Sequence, residues 1–207
     1  CTFYAATTTP VVEWNFPNNP DDNIADGGIA FNASKTLSLF GCLAAVSYVP
    51  TSGSSTSAAT TASASGGWAS GSGLDYWEVS LVTAGYYNLT VSSAQRSSNT
   101  GPRNFKLQYK IGAGGTYTDV PGGTITVGND WTTGVLTSVP LPAVCENKIS
   151  VFLRWIMTSN TAVNNAAVGT GGTSAIDNIS VVGNAGTFVS GFNNLAVAGT
   201  TDRKSTR

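Results

Sequence analysis

The sequence predicts an all-β protein, a jelly-roll-like antiparallel β-sandwich. Three observations predict it: short runs in which apolar and polar residues alternate, Gly and Pro turn signals between them roughly every 8 to 15 residues, and no apolar stripe at helical spacing over three turns.

Taken in order, Leu37-Ser38-Leu39-Phe40 is strand-like and the run 42–49 continues it. Residues 51–73 are almost entirely Ser, Thr, Ala and Gly, a composition too poor in apolar surface to fold by itself, and they are expected as a long exposed loop. Tyr76-Trp77-Glu78-Val79-Ser80-Leu81 and Tyr87-Asn88-Leu89-Thr90-Val91-Ser92 both alternate, and the Thr83-Ala84-Gly85 turn between them predicts a hairpin. In the next strand Phe105, Leu107, Tyr109 and Ile111 face inward and Lys106 and Lys110 face water, before a turn at 112–115.

Further strands are expected at 124–127, 134–141, 149–157 and 175–182. The third of these places Ile149, Val151, Leu153 and Trp155 on one face and Phe152 and Ile156 on the other, so it is expected to be covered on both sides, with Arg154 in need of a partner. Trp14, Trp77 and Trp155 fall in strand patterns and are assigned to the core. Residues 1–183 make one domain, and 184–207 form an extension or the start of a further β module.

Composition narrows the function classes. Charged residues are 10% of the chain against roughly 25% in ordinary soluble domains. Ser and Thr make up about a quarter, so hydroxyls keep the surface wet. The net charge of -1 leaves no basic field for nucleic acid. No apolar run approaches the roughly 20 residues of a membrane span.

Histidine is absent, which removes the commonest general base, metal ligand and pH switch together. A serine or cysteine nucleophile therefore lacks its usual base. Of the carboxylate pairs, Asp75 and Glu78 lie on opposite faces of a strand, and Asp119 with Asp130 is supported only by nearness in sequence. The expectation is no enzyme.

Cys42 and Cys145 both lie beside strand-like segments, which allows a long-range disulfide or two buried thiols. Cys1 is either the site of a lipid anchor or only the point at which the chain was cut. Trp68, in the polar segment, and Trp131, beside Asp130, are the aromatic rings expected at the surface for stacking on a sugar, with loop anchoring as their alternative role.

The run from Trp77 through Phe105-Lys106-Leu107-Gln108-Tyr109, Trp131, Leu153-Arg154-Trp155 and the strand Ser174-Ala175-Ile176-Asp177-Asn178-Ile179-Ser180-Val181 resembles the jelly-roll modules of large secreted Bacteroidetes proteins. The resemblance covers roughly residues 11 to 183 and implies export by the type IX route to the cell surface or beyond. Gly191-Phe192-Asn193-Asn194 resembles the entry strand of a fibronectin type III-like repeat.

Such modules are similar to carbohydrate-binding jelly rolls with a structural calcium. Glu13, Asn15 and Asp177 are the matching oxygen donors, with turn capping as the other role of Asp177. The chain is thus expected to be a non-enzymatic structural or adhesive module. Two alternatives stand beside that reading. One is a glycan-binding module, and the other a filament subunit that donates a terminal strand to a neighbouring copy.

Overall fold

Residues that alternate along a strand can serve a core on one face only. In a computed structural model, which describes residues 8–53, 56–61 and 67–186, that alternation closes two antiparallel sheets over one core. The strands are β1 Thr8–Trp14, β2 Gly27–Gly28, β3 Leu37–Phe40, β4 Val46–Pro50, β5 Ser57–Thr61 and β6 Tyr76–Leu81. They continue as β7 Tyr86–Ser97, β8 Asn104–Ile111, β9 Thr118–Thr126, β10 Gly134–Pro140, β11 Val151–Met157 and β12 Ser174–Ala185. The seven-stranded sheet runs β10-β7-β12-β1-β2, with β5 also on β12 and β4 outside β5. The five-stranded sheet runs β3-β6-β11-β8-β9. The predicted all-β sandwich is therefore the observed fold.

The tryptophans assigned to the core are there. Trp14, Trp77 and Trp155 are fully buried, and each spends its indole N–H: on Asn23 O, Ser174 Oγ and Ser93 Oγ respectively. An indole that must be buried to hold two sheets together needs such an acceptor, because an unpaired buried donor is expensive.

Two expectations give way. The segment 51–73 is not simply an exposed loop: it supplies β5, in which Ser57, Ala58, Ala59 and Thr61 are buried between β4 and β12. Its side chains are small enough to fit where strands approach closely, and pairing, not apolar bulk, fixes them. The expected hairpin of β6 and β7 does not form either. β6 pairs with β3 and β11, whereas β7 pairs with β10 and β12 in the opposite sheet, so the 83–85 turn carries the chain from one layer to the other. The Thr83 hydroxyl donates to Cys145 O (2.6 Å) and accepts from the Lys148 N–H (3.0 Å), tethering that crossing.

The N-terminal strand, expected as one candidate for donation, pairs with its own β12 from Thr8 opposite Asn184 to Trp14 opposite Ile179. β12 runs two residues beyond the expected boundary at 183. Cys1, the fibronectin-like segment and the remainder of the C-terminal extension lie outside the described residues.

Cys42 and Cys145 are free thiols, not a disulfide. Cys42 lies within electrostatic reach of Asp75 at the start of β6, and Cys145 is bonded to Thr83 just past its end. A six-residue strand is about 20 Å long. The two Cα atoms of a disulfide must approach within about 7 Å. Burial pushes the Cys145 thiol up to about 12, which keeps it protonated and inert.

Candidate functional site

The five-stranded sheet turns Trp77, Val79 and Leu81 of β6 and Val151, Leu153, Trp155 and Met157 of β11 into the core. The alternate residues, Tyr76, Glu78, Phe152, Arg154 and Ile156, therefore occupy its other face. Ladder registry puts Arg154 between Glu78 on β6 and Gln108 on β8. Tyr117, from the turn that precedes β9, reaches over these strands, and its hydroxyl bonds to Glu78 Oε2.

The result is an aromatic and cationic ladder. The Arg154 guanidinium lies 3.7 Å from the Tyr117 ring centroid and 4.7 Å from that of Tyr76. Lys110 Nζ lies 4.4 Å from Phe152 and 4.6 Å from Tyr117. Phe40 stacks on Tyr76 at 5.2 Å and is 42% exposed, so the pair presents a ring edge to solvent at the β3 side. Rings and cations attract at these distances because the cation meets the negative ring face.

A polar chain crosses the same face. Arg154 Nε donates to Gln108 Oε1 (2.8 Å), Gln108 Nε2 donates to Asp119 Oδ1 (2.5 Å), and Lys106 Nζ meets Asp119 at 2.9 Å. Those hydrogen bonds, from Gln108 first and then Lys106, hold the Asp119 carboxyl below its ordinary range. Burial raises Glu78, opposed by Lys110 and Arg154, and burial lowers Arg154. The expectation that Arg154 needs a partner is met by Gln108 and two rings.

At the β8 start of this face a groove of about 250 Å³ is lined by Ser72, Gly73, Lys106, Gln108, Arg154, Ile156, Met157 and Thr158. One wall belongs to the 71–75 turn. That turn is closed by Asp75, a residue 4% exposed, whose carboxyl fits only because Gly41 and Gly71 lack side chains. A Cβ on Gly71 would lie 1.9 Å from Oδ2, and one on Gly41 2.4 Å from Oδ1.

Burial pushes the Asp75 carboxyl from 3.8 up to about 6. The folded state thus binds this proton more tightly than the unfolded chain. The stability it contributes is complete below pH 3.8, falls as pH rises from 3.8 to 6, and is gone above that. Asp75→Asn is expected to stabilise the fold by about 2 kcal/mol at pH 7.5 and to match wild type near pH 3.5. Urea midpoints of the two proteins across that range check it, and a constant difference between them would refute the assignment.

The residues singled out from the sequence are placed otherwise. Trp68 is not a surface ring: it is fully buried, with Trp77 at 6.1 Å, Phe105 edge-on at 5.6 Å and its N–H on Thr61 Oγ1 (3.1 Å). Its polar neighbours in sequence concealed a core position. Trp131 is half-buried against Gly53, in a loop where Asp130 caps Thr132 and Thr133. Those bonds, from the Thr133 N–H foremost, bring Asp130 down to about 2.

Glu13 lies opposite Ser180, Asn15 gives its backbone N–H to Asp26 (2.8 Å), and Asp177 is buried opposite Ala94 of β7. Among the described residues no three His, Cys, Asp or Glu side chains are gathered into a metal-binding group. Asp119 and Asp130 are each held by separate partners, and the Glu78 carboxyl is taken by Tyr117.

No protein-family model matches the chain, and no curated protein matches it. Among solved structures it is similar to the N-terminal CBM22-1–CBM22-2 tandem domain of Xyn10C from Paenibacillus barcinonensis, at TM-score 0.49 and 11% identity over 89% of this chain and 49% of that one. It is similar to the K3 cleaved adhesin domain of Lys-gingipain from Porphyromonas gingivalis w83, at TM-score 0.43 and 13% identity over 83% of this chain and 98% of that one. A third is the N-terminal cellulose-binding domain of β-1,4-glucanase C from Cellulomonas fimi, at TM-score 0.38 and 11% identity over 73% and 90%. The chain spans about half the length of the tandem domain. Among the described residues no helix is long and apolar enough to cross a membrane.

The surface rings that sequence reasoning missed are Tyr76, Phe40 and Tyr117. For the first two a signal existed, the outward half of the β6 and β3 alternation. Tyr117 follows a glycine-rich turn with no periodicity, and nothing in the sequence ties it to β6.

Proposed function

We propose that the chain is a non-catalytic, extracellular adhesive module that binds glycan on the outer face of its five-stranded sheet. The observation that carries this reading is the ladder of Phe40, Tyr76, Tyr117 and Arg154 beside a groove edged with hydroxyl, amide and N–H donors. A pyranose offers an apolar face for a ring and equatorial hydroxyls for planar polar side chains, and this face supplies both. The lack of histidine and the engagement of Glu78, Asp119 and Asp130 in local bonds support binding without catalysis. Low charge, a hydroxyl-rich surface and the Bacteroidetes-like 174–181 strand support a place outside the cell, with type IX export as the route that strand motif implies.

Tyr76→Ala is expected to weaken glycan binding at least about tenfold, because a stacking ring contributes on the order of 1 kcal/mol or more and its loss also frees Arg154. A glycan array followed by calorimetry on the strongest hit measures it. Retained affinity in a folded Tyr76→Ala protein would move the binding face elsewhere.

A further inference from the structure

The glycan-binding reading leaves open which sugars the face prefers, and the groove at its β8 end bears on that. Two of the side chains that line it, Arg154 and Lys106, are cations, and no carboxylate lines it. The rest of the lining is an amide, two hydroxyl residues, a glycine, Ile156 and Met157, whose side chain points into the core. At about 250 Å³ it falls just under the roughly 300–1,000 Å³ of drug-sized sites, a size for one sugar ring and not a long oligosaccharide.

Arg154 is the unusual member. Among the described residues the Lys106–Asp119 pair is the one salt bridge, so this half-buried guanidinium has no direct ion pair. Its close contacts are Gln108, the Tyr76 side chain by a hydrogen bond as well as by its ring, and the Tyr117 ring, whereas Glu78 and Asp119 act on it through charge alone. Nε is spent on Gln108 and a further donor on the Tyr76 side chain, which leaves the remaining N–H donors of the terminal fork for a ligand. The rings and Gln108 fix the plane of that fork, so little side-chain entropy remains to be lost on binding. Lys106, on the same side of β8, is tied to an Asp119 side chain that is 59% exposed. Such a surface pair contributes about 0–1 kcal/mol and yields readily to a competing anion.

We propose that this groove takes an acidic sugar unit, its carboxylate or sulfate ester held between the Arg154 fork and the Lys106 ammonium. The sugar ring lies on Ile156 and towards Tyr76, and Ser72 and Thr158 supply hydroxyl contacts. This inference rests on the glycan-binding reading of the face and adds the charge of the ligand.

Four probes test it by calorimetry on the full chain: an oligogalacturonate, the same oligomer with its carboxyls reduced to alcohols, a sulfated galactan oligomer and its desulfated counterpart. At least one acidic probe is expected to bind about tenfold or more tighter than its neutral partner, in line with a charge-assisted contact. That advantage is expected to shrink as salt rises from 20 to 300 mM, values chosen to span about a fourfold change in screening length. It is expected to be lost in Lys106→Gln, a surface change that leaves the fold intact, and in Arg154→Gln, whose fold is checked by circular dichroism. Preference for the uronate or for the sulfate names the source of the anion.

Equal binding of acidic and neutral partners, lost in Tyr76→Ala, overturns the acidic subsite and leaves the glycan-binding face standing. An acidic preference that survives both cation variants also overturns it. Binding to none of the four, with array hits that ignore Tyr76→Ala, overturns both readings together.

Discussion

Trp68→Ala is expected to lower the stability of the fold by about 3–5 kcal/mol, the largest effect of any ring truncation considered for this chain. The ring is completely buried and packs on Trp77 and Phe105, so its removal opens a cavity at the junction of the two sheets. The same change orphans one end of a polar relay. The indole N–H donates to Thr61 Oγ1, which also donates to Ser174 O and accepts from the Ser174 N–H. That relay joins β5 to the start of β12. Domains of ordinary stability hold about 5–15 kcal/mol in total. The loss would therefore consume about a fifth of it or more. Urea unfolding measures the effect as a shift in midpoint at constant slope. Trp68→Phe, which keeps most of the apolar volume and gives up only the N–H, is expected to cost markedly less. A Trp68→Ala protein within 1 kcal/mol of wild type would put the ring outside the core. Glycan binding by Trp68→Ala reports on folding alone, whereas Tyr76→Ala reports on the face.

That contrast shows where the sequence was readable. Trp68 sits among Ala, Ser and Gly, and local composition marks such a segment as solvent-exposed. Its burial is decided by β5, whose Ala58 and Ala59 are small enough to lie between β4 and β12 and whose Thr61 accepts the indole proton. Neither fact is local. The strands with a clean period of two, β6, β8 and β11, were legible together with the direction of their faces, because alternation is fixed by backbone geometry. Which strand pairs with which was not: β6 and β7 carry matching patterns and a short turn, yet Thr83 is held by Cys145 and Lys148, far along the chain, and the layers separate there. The functional face divides in the same way. Arg154 announced itself as a charge on a strand with apolar residues on both faces, and Phe152 and Ile156 announced that second face. Tyr117 depends on a loop folding back over three strands, β8, β11 and β6, which no periodicity encodes.

Asn32→Ala is expected to cost about 3 kcal/mol, the second large effect, through hydrogen bonds and not through volume. Asn32 ends a short 3-10 turn, Ala30–Asn32, and is fully buried. Its Nδ2 donates to Val11 O (2.8 Å) in β1 and to Val82 O (3.0 Å), and its Oδ1 accepts from the Val82 N–H (2.7 Å). Val11 belongs to the seven-stranded sheet, and Val82 follows the last residue of β6 in the five-stranded one. One amide thus bridges the two layers, bonding both backbone groups of Val82 and adding a second donor to Val11 O, which also accepts from the Ile29 N–H (3.1 Å). Removing it takes the amide away from the Val82 N–H and C=O, at about 1–3 kcal/mol each and less where water can enter the space vacated, while Val11 O keeps the Ile29 N–H. Asn32→Asp separates this account from simple packing. The carboxylate retains the acceptor for Val82 N–H but sets its other oxygen, in the place of Nδ2, against two carbonyls, so near neutral pH it is expected to be at least as destabilising as alanine. Once protonated it regains one donor, so part of the loss is expected to return as pH falls below the carboxyl pKa in the mutant fold. Chemical unfolding at pH 4 and pH 7.5 reads both variants. If Asn32→Ala costs under 1 kcal/mol, or if Asn32→Asp is as stable as wild type at pH 7.5, the clamp between the sheets is apolar contact alone, and the amide is incidental to it.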